Sequence, residues 1–361
     1  MSSLTELLSL RHPIVQSGMG RVAGPELAAE VSRAGGLGIL AGLNLTPDDL
    51  RQQINRIREL TDRPFGVNLW LHPALMPPVD PAALPRDTVG AVQEALAPAR
   101  RAVGLSPSSA APPRRPDQIA QSLDVVIAER VPVLSVALGL PAADVIERCH
   151  AAGVRVMAMV ANVADARDAE GAGVDIIVAQ GAEAGGHRST WRPDAPAMVG
   201  TFALVPEVAD AVRVPVVAAG GIADGRGLVA ALALGAVGVL LGTRFVATRE
   251  SMAPDFWKQA ILAASASGTT VTTAFTGMPA RVLTNRFERE YAASGAPVLP
   301  GLLQAALEQD IWLAAARAGN ADYFPLYSGQ SAGIIRDVPS AADQVAAIVR
   351  EAEEAVRRLR L

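Results

Sequence analysis

Four stretches of this chain end a helix and begin a strand in the same way: EVSRAGGLGILAG, IERCHAAGVRVMAMVAN, DAEGAGVDIIVAQG and ALALGAVGVLLG. In each, a helix-like segment stops at Ala-Gly or Leu-Gly, where glycine can take the left-handed conformation that terminates helices, and an aliphatic run follows. These runs are apolar on both faces. Strands of that kind belong to parallel sheets covered by helices, because a sheet with one wet face would alternate apolar and polar residues. Eight such runs are present: Pro13 to Met19, Leu37 to Gly42, Phe65 to Trp70, Val131 to Leu138, Val154 to Asn162, Asp175 to Gly181, Val214 to Ile222 and Val237 to Val246. Eight parallel strands with intervening helices predict an α/β fold of the (β/α)8 TIM-barrel type.

Two segments break the repeat. Residues 72–116, from HPALMPPVDPAALP to SPSSAAPPRRPD, are proline-rich and irregular around one helix-like piece, DTVGAVQEALAPARRAVG, and read as an insertion after the third strand that lies across one end of the barrel. After Arg249 the chain turns helical, at Met252 to Ala266, Gly301 to Ala318 and Ser340 to Leu361, with a loop-rich section between. The expected organisation is a barrel over 1–249 and a mainly helical region over 250–361 that packs on it as a cap or subdomain. With 361 residues, half of them hydrophobic, the chain can bury a core of that size.

Charge and composition narrow the partners. A formal net charge of −4 and the absence of long basic runs give no electrostatic footprint for nucleic acid or an anionic membrane surface, so a small soluble ligand is expected. The start MSSLTELLSLRHPIVQ lacks the basic and apolar regions of a signal peptide, and no long uninterrupted apolar window follows, so the expected location is cytoplasmic. The single cysteine, Cys149, sits in a helical pattern and reads as a small packing side chain. Homo-oligomerisation is left open.

Barrel chemistry is read at the carboxyl ends of the strands. Those positions hold Ser17 to Gly20, Gly42, Asn68, Asn162, Gln180, Gly220-Gly221 and Gly242-Thr243. The one lysine, Lys258, lies outside the barrel strands, which argues against a Schiff-base aldolase, and no histidines or carboxylates converge at metal-ligand spacing, so no metal is expected. An uncharged, glycine-rich face suits a large flat cofactor approached by backbone. The loops AAGGIADGRG and LLGTRF, after the seventh and eighth strands, place Gly220, Gly221, Gly242 and Thr243 where such barrels cradle a phosphate. GMGRVAG has its glycines at G-x-G-x-x-x-G and is not the dinucleotide fingerprint.

AQGAEAGGHRS, residues 179–189, carries the candidate chemistry. Gln180 ends the sixth strand at the height of a ring cofactor's edge, and the glycines let His187 swing over the cofactor's face, where an imidazole can take a proton near neutral pH. His12 and His150 read as structural, His72 edges the site, and Glu183 shapes the turn or faces solvent.

PIVQSGMG, AGGLGIL, FGVNLWL, AQGAEAGGHRS, VVAAGGIADGRG, LLGTRFVATRES, AFTGMPARVLTNRF and YSGQSAG together resemble the nitronate monooxygenase family, formerly 2-nitropropane dioxygenases, which are FMN-dependent (β/α)8 barrels. The resemblance implies that Asn68, Gln180, Gly185, Gly221, Leu240, Leu241, Gly242 and Thr243 bind FMN, that Gly18 and Met19 line the flavin, and that His187 is the catalytic base. It implies oxidative denitrification of alkyl nitronates with molecular oxygen to carbonyl compounds and nitrite, with Arg188 helping to hold the anion. QSGMG replaces the QAPM common in that family and is similar to flavin-dependent enoyl-ACP reductases; Leu240 stands where glutamine is frequent, and Ser189 replaces a glycine. Two alternatives therefore stay open: an NAD(P)H-dependent FMN reductase of an enoyl thioester or quinone, and a non-catalytic flavin-binding or scaffold protein.

Overall fold

The computed structural model describes residues 3–191 and 197–359. Among them, eight parallel strands form one sheet: β1 (Ile14–Gln16), β2 (Gly38–Ala41), β3 (Phe65–Trp70), β4 (Val133–Ala137), β5 (Arg155–Val160), β6 (Ile176–Gln180), β7 (Val216–Ala219) and β8 (Gly238–Leu241). Each neighbours its sequence successor, and β8 pairs with β1. Closure between β1 and β2 comes from a parallel bridge of Val15 with Leu37, whose N–H donates to the Ile14 carbonyl while its own carbonyl accepts from Gln16 N–H, both at 2.9 Å. The chain is a TIM barrel, and every strand falls within an expected run.

The four repeated stops work as their glycines suggest. Gly35, Gly153, Gly173 and Gly235 have φ of +98°, +78°, +93° and +97°. In each unit the next residue returns its N–H to a carbonyl five residues back, Gly36 to Val31, Val154 to Cys149, Val174 to Ala169 and Ala236 to Ala231. That bond satisfies an orphaned helix carbonyl and turns the chain into the following strand.

Apolar side chains fill both sides of the sheet. Val15, Ile39, Val133, Met157, Val178, Val217 and Leu240 pack in the barrel interior, with Leu4, Leu8 and Leu10 from the first helix and its exit in the same cluster. A Cβ on Gly238, the first residue of β8, would lie 2.7 Å from Leu4 Cδ2, so this helix plugs the amino end and leaves the carboxyl end for the site. Helix Ala341–Arg358 packs against Pro25–Arg33 and Gly225–Ala233, in the place of an eighth barrel helix.

Between β8 and that last helix lie helices Asp255–Ala263, Arg286–Ser294 and Leu303–Arg317. The section expected to be loop-rich also holds strands Thr269–Thr272 and Ala280–Leu283, paired antiparallel, with Gly186–His187 added to the second of them. TTVT is half-exposed and lacks an apolar face, so its pattern does not stand out in the sequence. The insertion forms helix Arg86–Ala102, which packs on Arg286–Ser294 and Leu303–Arg317. Arg100, 2% exposed, joins them: its Nη2 donates to Leu307 O at 2.8 Å and its Nε meets Asp310 at 2.9 Å.

Gln16 is fully buried at the closing seam, where its Oε1 accepts from Ile39 N–H at 3.0 Å and its Nε2 donates to Ile39 O at 3.2 Å. Gln16→Leu would strand both backbone groups, so the unfolding free energy in urea should fall by about 2–3 kcal/mol. A change below about 0.5 kcal/mol would show that the seam does not depend on this amide.

Candidate active site

The carboxyl ends of the barrel strands open into a cavity of about 640 Å³, lined on its far side by helix Leu303–Arg317 and residues 324–331. Gly18, Met19, Asn68, Gln180, Gly185, His187, Gly220, Gly221, Leu240, Gly242 and Thr243 all line it. Leu241 does not. Strand alternation turns its side chain outward, into the core between sheet and helices.

Close approach explains the glycine at the first strand's end: a Cβ on Gly18 would lie 2.3 Å from Asn68 Cβ. Asn68 is held by Nδ2 bonds to Ser135 O and Oγ at 3.2 and 3.1 Å. On the other side, Gly220 and Gly221 turn with φ of +102° and +72°. Among the described residues, none accepts a hydrogen bond from the backbone N–H of Gly221, Gly242 or Thr243. Three unpartnered N–H groups from two adjacent loops of the cavity lining are the kind of donor set that a phosphate takes. Thr243 Oγ1 is engaged elsewhere, accepting from Gly329 N–H at 2.8 Å.

His187 is fixed in place, which corrects the expectation of a swinging loop. Its backbone pairs with Ala280, and Arg188 N–H donates to Pro279 O at 2.9 Å. The Gln180 amide grips the same segment: Nε2 donates to His187 O at 3.0 Å and Oε1 accepts from Ser189 N–H at 2.8 Å. The imidazole sits 4.6 Å from the Trp70 ring and 5.4 Å from that of Tyr327. Its Nε2 lies 2.9 Å from Thr276 Oγ1, and that hydroxyl donates to Met278 O at 3.2 Å. The hydroxyl can donate to Met278 O or to Nε2; in the first arrangement Nε2–H donates to Thr276 and the lone pair lies on Nδ1. Burial, then the Arg188 and His72 charges, lower the His187 pKa from 6.5 to about 3, so the ring is neutral.

The neighbours of His187 build the loop. Glu183 accepts from Thr201 N–H at 2.9 Å and Thr201 Oγ1 at 2.8 Å, capping helix Thr201–Ala211. Arg188, 1% exposed, does not line the cavity; its Nη1 donates to the carbonyls of Gly181 and Ala182 at 3.1 and 3.0 Å. His72 is buried beside the site and not in its lining, with Nδ1 accepting from Ala74 N–H at 3.1 Å. His150 bonds Asp175 at 2.9 Å, at the amino end of β6, opposite the end that carries Gln180.

Sequence reasoning missed Thr276, Trp70 and Tyr327. The phenol of Tyr327 lines the cavity with no hydrogen-bond partner among the described residues, and burial raises its pKa far above the usual tyrosine value. The signal for two of them was available in AFTGMPARV and YSGQSAG, glycine-containing stretches that fit no helix.

The sequence model of the nitronate monooxygenase family matches residues 1–351. A nitronate monooxygenase of Paraburkholderia phytofirmans is 39% identical over 372 aligned positions, covering 99% of this chain and 97% of that protein. Nitroalkane oxidase from Streptomyces ansochromogenes superposes with a TM-score of 0.89 at 39% identity, covering 99% of this chain and all of the other. FabK from Thermotoga maritima superposes with a TM-score of 0.77 at 35% identity, covering 99% and 98%.

The depressed pKa of His187 has a consequence for stability. The unfolded chain takes up a proton near pH 6.5 that the buried ring refuses until about pH 3, so the stability of the neutral-ring state is complete above 6.5 and falls as the pH drops through that window. His12 and His72, also lowered by burial, add to the slope. Urea midpoints should therefore fall between about pH 7.5 and pH 4.5, and less steeply in His187→Asn. An identical slope in both proteins would contradict the burial of this ring.

Proposed function

Because this chain belongs to the nitronate monooxygenase family, we propose that its cavity oxidises alkyl nitronates with molecular oxygen on a bound FMN, giving carbonyl compounds and nitrite. The observation that carries this reading is the buried His187, with Nε2 at 2.9 Å from Thr276 Oγ1 and Nδ1 without a partner among the described residues, in a cavity where no described Asp, Glu or Lys takes part in the lining. The chain is an oxidoreductase, and no described side chain of this lining accepts electron pairs, which is the task of a flavin.

The unpartnered N–H groups at Gly221, Gly242 and Thr243 would hold the single phosphate of FMN, Asn68 would face the ring system, and Gly18 and Met19 would leave room for it. When bound, the flavin supplies the oxidation and the passage of electrons to oxygen. The protein's residues do the rest. Trp70 and Tyr327 flank the imidazole and exclude water from it, and Tyr327, kept as a phenol, donates a hydrogen bond to a nitro oxygen. His187 Nδ1 removes the α-proton of a neutral nitroalkane. A ring with a pKa near 3 is a weak base until an anion appears beside it, and the nitronate formed by proton removal is that anion. Nitronates supplied already deprotonated are therefore the better substrates.

Gln180, Gly185 and Gly220 position the loops that meet the cofactor, Leu240 supplies an apolar contact, and Leu241 acts through its backbone, whose carbonyl accepts from Ser17 N–H at 3.0 Å. We assign cofactor binding to the barrel strands within 1–249 and the cavity roof to residues 252–331 of the region 250–361, whose last helix completes the barrel, with Thr276 reaching in from the roof. A cytoplasmic location completes the reading. No helix among the described residues is long and apolar enough to cross a membrane. The QSGMG stretch, similar to flavin-dependent enoyl-ACP reductases, supports a second reading, NAD(P)H-dependent reduction of an enoyl thioester or quinone, which consumes NADH without any nitronate.

His187→Asn should lower activity on neutral nitroalkanes by on the order of 10²-fold, the usual scale of general base catalysis. Nitrite release from preformed nitronates should fall less, since only orientation is lost. FMN content should stay at the wild-type level. Equal, small losses on both substrate forms would mean that His187 is not the base.

A further inference from the structure

Three guanidinium groups stand at the cavity without a carboxylate to meet them. Arg21 follows β1, and Arg114 and Arg115 come from the proline-rich segment between helices Arg86–Ala102 and Ile119–Ala128; all three line the cavity. Several other arginines meet carboxylates, Arg58 with Glu129 at 2.7 Å and Arg244 with Asp337 at 2.9 Å among them. Among the described residues, Arg21, Arg114 and Arg115 have no ion pair and no side-chain hydrogen bond. The chain as a whole carries a net charge of −4, so this concentration of positive charge is local.

The segment that carries two of the three groups is held on both sides. Pro112, Pro113 and Pro116 fix φ on both sides of the arginine pair, and Pro112 is buried. Gln93 Nε2 donates to Ala110 O at 2.6 Å before the pair, and Gln118 Nε2 donates to Leu45 O at 2.9 Å after it. Arg21 has a φ of +61°, a conformation uncommon for a residue with a Cβ, and its guanidinium carbon lies 5.6 Å from the centre of the Trp312 ring in the cavity wall. Arg115 is half-buried, and burial followed by the Arg21 charge lowers its pKa. Arg21 thus acts on the half-buried Arg115 while Arg114 stands exposed beside it in sequence, and no carboxylate of the described lining offsets the repulsion, an arrangement completed by an anion.

We propose that Arg21, Arg114 and Arg115 form a phosphate subsite at the cavity mouth, which holds the phosphate or pyrophosphate tail of an organic co-substrate whose reactive end reaches His187. A multiply charged tail is favoured over a monocarboxylate because three positive charges await it, and guanidinium forks match phosphate oxygens bidentately. The subsite is separate from the backbone cradle at Gly221, Gly242 and Thr243, which comes from other loops. The inference rests on the cavity being the substrate site, as proposed above, and not on nitronate chemistry.

The test uses the full-length, FMN-loaded protein titrated with inorganic pyrophosphate by calorimetry, a measurement that involves no turnover. Failure of the nitronate reading would leave it untouched. Saturable binding is expected, weakened by added salt and by about tenfold or more in Arg114→Gln/Arg115→Gln, with FMN content unchanged. ADP-ribose and desulfo-coenzyme A then compete for the site, and the one that displaces pyrophosphate identifies the tail as that of a nicotinamide dinucleotide or of an acyl thioester. No saturable binding, equal binding by the variant, loss of FMN from the variant, or displacement by neither competitor would each overturn the proposal.

Discussion

The Gln180 amide closes two hydrogen bonds at once, to His187 O and Ser189 N–H, and through them the barrel holds the segment that carries its candidate base. The same segment is the third strand of the small sheet, so the grip extends to Ala280 and the residues that roof the cavity. Gly185 seats the loop against the roof at a second point, where a Cβ would lie 2.4 Å from Gly329 N. Releasing Gln180 would therefore loosen the base, the cavity roof and the turn leading to the cradle together. A glutamine suits this position because it offers a donor and an acceptor on one planar group without bringing charge to the cavity.

Charge is distributed around that cavity in a consistent way. Anionic side chains are absent from its described lining, the imidazole is neutral, and the buried cation Arg188 is directed at loop carbonyls. An entering anion meets positive charge at the mouth and no repulsion inside. Low local polarity strengthens whatever charge the substrate brings, which is why a ring with so low a pKa can serve as a base only for a substrate that becomes an anion beside it.

The barrel was legible in the sequence because its signals are local. A glycine that must turn left-handed, followed by an apolar run, is readable at Gly35, Gly153, Gly173 and Gly235 without any knowledge of the rest. The placement of Gly18, Asn68 and the Gly220-Gly221 turn at the strand ends followed from the same grammar. What escaped depends on contacts between distant segments. Thr276 meets His187 from 89 positions away, and nothing at either site predicts the pairing. Glycines beside His187 suggested mobility, yet pairing with the middle strand of the small sheet, from the tail, removes it. Arg188 looked available to a substrate because adjacency in sequence was read as adjacency in the cavity, whereas strand alternation sends the two side chains to opposite sides.

The proposed function requires electrons to pass from a nitronate in this cavity. Anaerobic mixing of the FMN-loaded protein with an alkyl nitronate, followed by its visible absorbance, tests that claim most directly. Rapid loss of the yellow absorbance is expected with nitronate alone, without NADH, followed by its return with nitrite release when oxygen is admitted. Bleaching by NADH and not by nitronate would contradict it.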